Sequence, residues 1–534
     1  MPARYDAAIA TSLIPGVDED ASAPWFEATI PELAALLESR EISAVGLTTA
    51  YLDRIGRLDP VLHAVIETNP AALEIAARRD TERRAGRVRG PLHGIPILVK
   101  DNIATNDAME TTAGSLALSG SRVPRDAAIV ARLRAAGAVV LGKANLSEWA
   151  NLRGVHPKAV RDAGVHVNGW SARGGFTRNP YDLGADPCGS SSGSGVAPAA
   201  NLCAVAIGTE TDGSIVCPSG RNAVVGLKPT VGLVSQSGII PISHSQDTAG
   251  PMGRSVTDVA IVLNAIRSPF GEVVGRRLPR DYRTALRRGA LRGARIGVDR
   301  RHLSGEHADD GLNRVAEQAF ETLAGLGATL VDPIESVDTE AVEDDEITVL
   351  VTEFKAGLNT YLSGLRNTNV RSLADVIAFN DDRCEDELRF FGQEWMHVAD
   401  ATGGLEDTVY RAARARCIAA TRANGIDRIL ARDRLDAIVG PAYGDSSGPA
   451  VAGYPVISVP TGLTEDGRPA GVWLSAGFLA EPTLLGFAFD LEAAVGPRPL
   501  PTFAGTLPPE PPDAGICATP PERRRRATRA DVRD

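Results

Sequence analysis

The chain has 534 residues, 43% of them hydrophobic, and a formal net charge of -11, so it is globular and long enough to bury a sizeable core. The acidic balance excludes nucleic acid as the main partner, because neutralising phosphates needs a clustered excess of Lys and Arg. The amino terminus lacks a basic start followed by an apolar run, and no stretch of about 18 apolar residues occurs, so neither a secretory leader nor a membrane span is expected.

The six cysteines at positions 188, 203, 217, 384, 417 and 517 include no CxxC pair. That spacing suggests neither a zinc ribbon nor a disulfide framework, and the expectation is a cytoplasmic protein in a reducing compartment. Lysine stands only at positions 100, 143, 158, 228 and 355, among 56 Lys and Arg residues. Where arginine is the default cation, a retained lysine is a candidate for a task a guanidinium cannot perform, such as losing its proton.

Thr29 and Pro31 open a predicted helix with Leu33, Leu36 and Leu37 on one face, and Leu47, Tyr51, Ile55 and Leu58 continue the helical spacing after Ser43. The segment GIPILVKDN, Gly94 to Asn102, is a short apolar run ending in charge, which predicts a buried strand with Lys100 at its carboxyl end. Ala127 to Ala136 predicts a helix, Gly137 its stop, and Ala138 to Leu141 a further strand. Such alternation predicts an α/β fold, a mostly parallel sheet with helices on its faces. Residues 151–187 are rich in Gly, Asn, Pro and Arg with little periodicity, and read as a long surface loop bordering the active site. Arg295 to Pro333 reads strand, helix, strand; 340–432 reads helical; strands return at LDAIVGP, YPVISVP and AGVWLSA. No internal repeat is evident. The end of the chain, with paired prolines followed by Arg523 to Arg526, reads as disordered and solvated.

The stretch Cys188 to Ser214, CGSSSGSGVAPAANLCAVAIGTETDGS, carries a serine-rich glycine loop, an apolar run and a second Gly-Ser pair. Ser214 follows the apolar run, and Pro218 is suited to the first turn of a helix. Backbone N–H groups of such a glycine-containing turn converge on one point, as a tetrahedral oxyanion needs. The eight histidines offer no recognisable triad sequence, and His93 reads most simply as a loop residue. Lys100 is the better candidate base, because an ammonium at the end of an apolar strand loses hydration and favours its neutral form. Its bland alternative is a snorkelling strand-end lysine. Ser190 would bridge Lys100 and Ser214 as a proton shuttle. A competing motif is GSSSG, Gly189 to Gly193, which fits GxSxG with Ser191 as nucleophile; that elbow needs a strand before it, and YDLGADPCG is a poor one.

Together these residues resemble the amidase signature family, with its lysine after an apolar strand, its GSS-type loop and its Gly-Ser nucleophile turn. The family's shuttle and nucleophile serines lie 24 residues apart, as Ser190 and Ser214 do. The resemblance runs from GIPILVKDN through CGSSSGSG and GTETDGSIVCPS to VVGLKPTVGLVSQSGIIPISHSQDTAGPM, recurs at AGYPVISVPTG and AGVWLSAGF, and covers roughly residues 30–495. It implies the amidase signature fold, a large central mixed, mostly parallel twisted sheet covered by helices on both faces. Residues 1–506 would form one domain, with a variable substrate-side helical region at about 270–440, and 507–534 a disordered tail.

By the same resemblance Ser214 is the nucleophile that forms an acyl-enzyme, Ser190 the bridge and Lys100 the base. The N–H groups of Thr211, Asp212, Gly213 and Ser214 form the oxyanion hole, the Gly189–Ser190 peptide is cis, and no metal or cofactor is implied. Asp212-Gly213-Ser214 replaces the common Gly-Gly-Ser, and ETDGS with GWSARGG and TRNPY is similar to bacterial peptide amidases, which release ammonia from carboxyl-terminal peptide amides. The segment Val155 to Val167 looks longer than in that pattern, an insertion beside the entrance. The expected activity is hydrolysis of a small-molecule or peptide carboxamide by a monomer or homodimer. The alternatives are an aryl acylamidase or general small-amide amidase, or the amidase subunit of the tRNA-dependent amidotransferase, working in a protein complex.

Overall fold

The structure is a computed structural model that describes residues 14, 16–155, 167–268, 278–304, 308–442 and 446–524. Its strands in chain order are β1 (Val65–Thr68), β2 (Pro96–Lys100), β3 (Val139–Ala144), β4 (Trp170–Ser171), β5 (Gly175–Phe176), β6 (Val205–Glu210), β7 (Val225–Lys228), β8 (Thr248–Gly253), β9 (Arg295–Val298), β10 (Thr329–Val331), β11 (Ala437–Pro441), β12 (Val456–Leu463) and β13 (Pro469–Ser475). All but the β4–β5 hairpin join one 11-stranded sheet in the order β1-β3-β2-β6-β8-β7-β12-β13-β11-β9-β10.

This is the α/β fold that the alternating elements predict, with the mixed sheet that the family resemblance implies. Parallel pairing groups in two blocks, β3–β2–β6 and β11–β9–β10. Antiparallel pairs through β8, β7, β12 and β13 join the blocks. Every residue of β2, β3, β6, β7, β8, β11 and β13 is buried. Successive side chains of a strand point to opposite faces, so burial of all of them means that both faces are covered.

The amino-terminal helices form where the caps predict. Thr29 accepts from the Glu32 N–H while Glu32 reaches back, a capping box for Ile30–Ser39, and Ser43 caps Ala44–Leu62. Leu33, Leu37, Leu47, Tyr51, Ile55 and Leu58 are buried, and Leu36 is half-buried. The Arg295 to Pro333 region is strand, helix (Asp310–Gly325) and strand as expected. β3 runs on to Ala144, beyond the predicted Leu141, because hydrogen bonding between two flanking strands carries it past the end of the apolar run.

Three expectations need correction. The described residues 167–187 do not form a surface loop, since Val167, Trp170, Ser171, Thr177, Asn179, Tyr181 and Leu183 are all buried. Trp170 packs edge-on against Phe390 and Phe391, with ring centroids 5.5 and 5.4 Å away, contacts that no local periodicity announces. The expected insertion at Val155 to Val167 lies outside the described residues except at its two ends.

The cysteines do form disulfides, Cys188–Cys217 and Cys384–Cys517, with sequence separations of 29 and 133. Such partners meet only through the fold. Disulfides persist in oxidising surroundings, so the cysteine argument for a reducing compartment falls away. Only Cys203 and Cys417 remain free among the described residues, both buried.

The tail, expected to be disordered, is strapped down over its described part. Glu510 pairs with Arg389 at 2.9 Å, the Ala514 N–H donates to the Arg389 carbonyl at 2.9 Å, and Cys517 is bonded to Cys384. Arg525 and Arg526 lie outside the described residues. No helix among the described residues is long and apolar enough to cross a membrane. Cys517→Ser removes the crosslink that closes the larger loop and should cost about 2–5 kcal/mol of unfolding free energy. Denaturant titration checks this, and limited proteolysis should then cut between residues 507 and 522.

Candidate active site

β2 and β6 are adjacent and parallel, with Val99 opposite Ile207. Their carboxyl ends therefore reach the same edge of the sheet, where open α/β sheets present ligand sites. Lys100 is the last residue of β2, and Thr209-Glu210 closes β6. The Ser190 loop arrives at that edge from the other direction, since it opens the helix Ser192–Ala199 that leads back into β6. Gly208 makes the approach possible, because a Cβ there would sit 2.9 Å from Ser191 Oγ and 2.7 Å from Met252 Sδ.

Lys100 has no exposure at all. Its Nζ lies 2.8 Å from Ser190 Oγ, 2.9 Å from Ser191 Oγ, 2.9 Å from Thr209 Oγ1 and 3.2 Å from the Thr209 carbonyl oxygen. Burial pushes its pKa down to about 7, with Asp247 and Glu210 pulling the other way. Ser190 Oγ is 3.0 Å from Ser214 Oγ. Hydrogen-bond contacts thus run unbroken from Ser214 through Ser190 to Lys100, and the exposure of 8% left to Ser214 makes it the end that meets solvent. The Gly189–Ser190 peptide is cis, as the resemblance implies.

Ser191 is not placed as a nucleophile. Its hydroxyl donates to the Thr209 carbonyl at 2.9 Å and accepts from the Thr209 N–H at 3.2 Å, and no strand precedes it. Asn102 Nδ2 donates to Thr209 Oγ1 at 2.9 Å, so Thr209 and Ser191 together form a polar floor under the lysine. His93 is buried with its Nε2 2.9 Å from the Arg79 carbonyl, a structural role.

After β6 the chain turns through Thr211 to Ile215 into the helix Val216–Arg221, with Pro218 in its first turn. Gly213 takes φ +72° in that turn, the left-handed region that favours glycine. Burial raises the pKa of Glu210, opposed by the N–H groups of Ile215 at 2.6 Å and Val216 at 2.9 Å from its Oε2 and by that of Gly213. Thr211 Oγ1 donates to Asp247 Oδ1 at 2.6 Å, and Asp247 Oδ2 takes the N–H groups of Ile242 and Ser243 at 2.8 and 3.0 Å. Burial raises Asp247 to about 6. Asp212 borders a cavity of about 490 Å³ with Leu152, Glu343, Glu346, Leu350 and Trp395. Most of those walls come from the helical region that the sequence reading places on the substrate side.

Two other retained lysines are also buried and pushed down to about 8, Lys143 on the Ile103 carbonyl and Thr111, and Lys228 on the Tyr454 carbonyl. Scarcity of lysine therefore does not by itself mark the site, and contact with the serines singles out Lys100.

A family model described as Amidase matches residues 46–450. The chain belongs to the amidase family. It is a hydrolase acting on amide bonds. The native peptide amidase of Stenotrophomonas maltophilia shares 49% identity and superposes with a TM-score of 0.83 over 90% of this chain and 99% of that one. A probable amidase of Arabidopsis thaliana is 41% identical over 490 residues, 89% of this chain and 92% of the relative. A glutamyl-tRNA(Gln) amidotransferase subunit of Symbiobacterium thermophilum is 35% identical, covering 86% of this chain and 94% of its own.

In this amidase the sequence reading missed Thr209, Asn102, Glu210 and Asp247. Thr209 and Glu210 had a local signal, since strand alternation sends them to opposite faces of β6 just before the turn. Asp247 had none, being 36 residues from Thr211. Glu210→Ala strands two buried N–H groups and should cost about 2–5 kcal/mol, with Glu210→Gln costing less because it keeps an acceptor oxygen. Equilibrium unfolding of both variants checks the order.

Proposed function

We propose that this amidase works through a Ser214–Ser190–Lys100 triad and an acyl-enzyme, and that its substrates are carboxyl-terminal peptide amides. The observation that carries the reading is the run of contacts from Ser214 Oγ to Ser190 Oγ at 3.0 Å and on to Lys100 Nζ at 2.8 Å, ending on an amine whose pKa of about 7 lets it be neutral at working pH. Ser214 Oγ attacks the carbonyl carbon as its proton passes to Ser190 and the proton of Ser190 passes to Lys100. N–H groups of the Thr211 to Ser214 turn stabilise the oxyanion. The charged relay returns the proton to the leaving nitrogen, the C–N bond breaks, and water attacks the ester by the same route in reverse. No cofactor or metal enters this scheme.

The identity of 49% with a peptide amidase over 90% of the chain supports the substrate class. Ammonia released from peptide amides, with acylanilides and simple amides left largely untouched, is the expected assay pattern; arylamine release would favour the aryl acylamidase reading. Relatives named as glutamyl-tRNA(Gln) amidotransferase components support a second reading, in which ammonia is released from glutamine only when partner proteins are added.

Ser214→Ala should lower turnover by several orders of magnitude with the fold intact. Lys100→Arg should be equally inactive, because a guanidinium stays charged. Protonated Lys100 cannot accept a proton, so kcat/KM of the wild type should rise with pH and level off above about 7. A flat profile from pH 5 to 8, or an active arginine variant, would remove Lys100 from the role of base.

A further inference from the structure

The two segments that carry the serines are joined by more than the serines. Cys188 stands two residues before Ser190, Cys217 stands three after Ser214, and their sulfurs are bonded with the Cα atoms 5.9 Å apart. The neighbours repeat the tie, since Asn222 Nδ2 donates both to the Pro187 carbonyl at 2.8 Å and to the Pro218 carbonyl at 2.7 Å. The Ser191 N–H adds a bond to the Ser214 carbonyl at 3.3 Å. Cys188 itself takes φ +56°, a left-handed conformation that a side-chain-bearing residue adopts at a cost, so this corner of the loop must be held from outside. Its N–H is fixed on Asp186 Oδ1 at 2.8 Å and its carbonyl by the Ser192 hydroxyl.

We infer that Cys188 and Cys217 are a positioning pair, whose crosslink keeps Ser190 within proton-transfer distance of Ser214, so that amide hydrolysis depends on the oxidised form. The inference rests on the proposed roles of Ser190 and Ser214. Proton transfer needs the oxygens about 2.6–3.2 Å apart, and a misplacement of about 1 Å in such a constellation costs on the order of 100-fold in rate. Both cysteines are partly exposed, so a small thiol reaches them. Cys203 and Cys417 are buried with their thiols pushed up to about 12, which keeps them out of the exchange. Dithiothreitol would attack one sulfur, break the S–S bond, pass two electrons and two protons to the cysteines, and leave as its cyclic disulfide.

The test uses the full chain carrying Cys384→Ser and Cys517→Ser, so that Cys188–Cys217 is the disulfide under study. The protein is assayed on a peptide amide before and after dithiothreitol, with alkylation and mass spectrometry reporting the thiols at Cys188 and Cys217, and circular dichroism reporting the fold. The expected result is a fall in kcat of about tenfold to 100-fold with KM changed by less than about twofold, reversed when oxidised glutathione restores the bond. Cys188→Ser with Cys217→Ser in the full chain should show the same low kcat and no response to dithiothreitol. An unchanged kcat after alkylation at both cysteines overturns the inference, as does a loss that appears only in KM or only together with unfolding. Ser214→Ala, assayed oxidised in parallel, separates the readings: activity in that variant would strike at the triad, whereas a reduction-insensitive wild-type rate beside an inactive Ser214→Ala would strike at the clamp alone.

Discussion

Everything at the site follows from placing a lysine where water cannot reach it. Lys100 ends a strand flanked on both sides by parallel strands, and its amine meets only hydroxyls and one carbonyl. Without water, and with the nearest carboxylates not in contact, the charged form loses its advantage and the neutral amine becomes accessible near pH 7. An arginine would keep its charge in the same place. Lysine is therefore retained here in a chain that otherwise uses arginine almost throughout.

That constraint reaches outward to the loops. A buried amine with four polar neighbours needs each of them fixed, and the fold fixes them from separate parts of the chain. Thr209 is set by β6, Ser191 by the bonds it makes back to Thr209, and Ser190 by the loop that opens the next helix. The turn from Thr211 to Ile215 is held from behind by Glu210 and from the side by Thr211 on Asp247. Each tie fills a backbone or hydroxyl valence that burial would otherwise leave empty, so positioning and polar satisfaction are achieved by the same bonds.

The cavity beside Asp212 shows how the variable part of the chain enters. Its walls come largely from helices of the 340–400 region, whereas the serines and the lysine come from the first half of the sheet. The lysine and the serines thus come from one stretch of the chain and most of the cavity wall from another. This division agrees with a family resemblance that is sharp around the serines and loose in the helical region.

The sequence by itself determined the α/β alternation, the capped helices, the strand ending in Lys100 and the two serines 24 residues apart, because these features are written in local spacing of side chains. It misjudged 167–187, the cysteines and the described part of the tail. The burial of Trp170 against Phe390 and Phe391 and the Cys384–Cys517 bond join residues more than a hundred apart, which no window of sequence contains. Only the tertiary structure decided which of the buried lysines meets the serines, that Ser191 turns away from the nucleophile's role, and that Glu210 and Asp247 hold the turn. Burial and hydrogen-bond partnership are properties of several segments at once, and they exist only after the sheet has brought its strand ends to one edge.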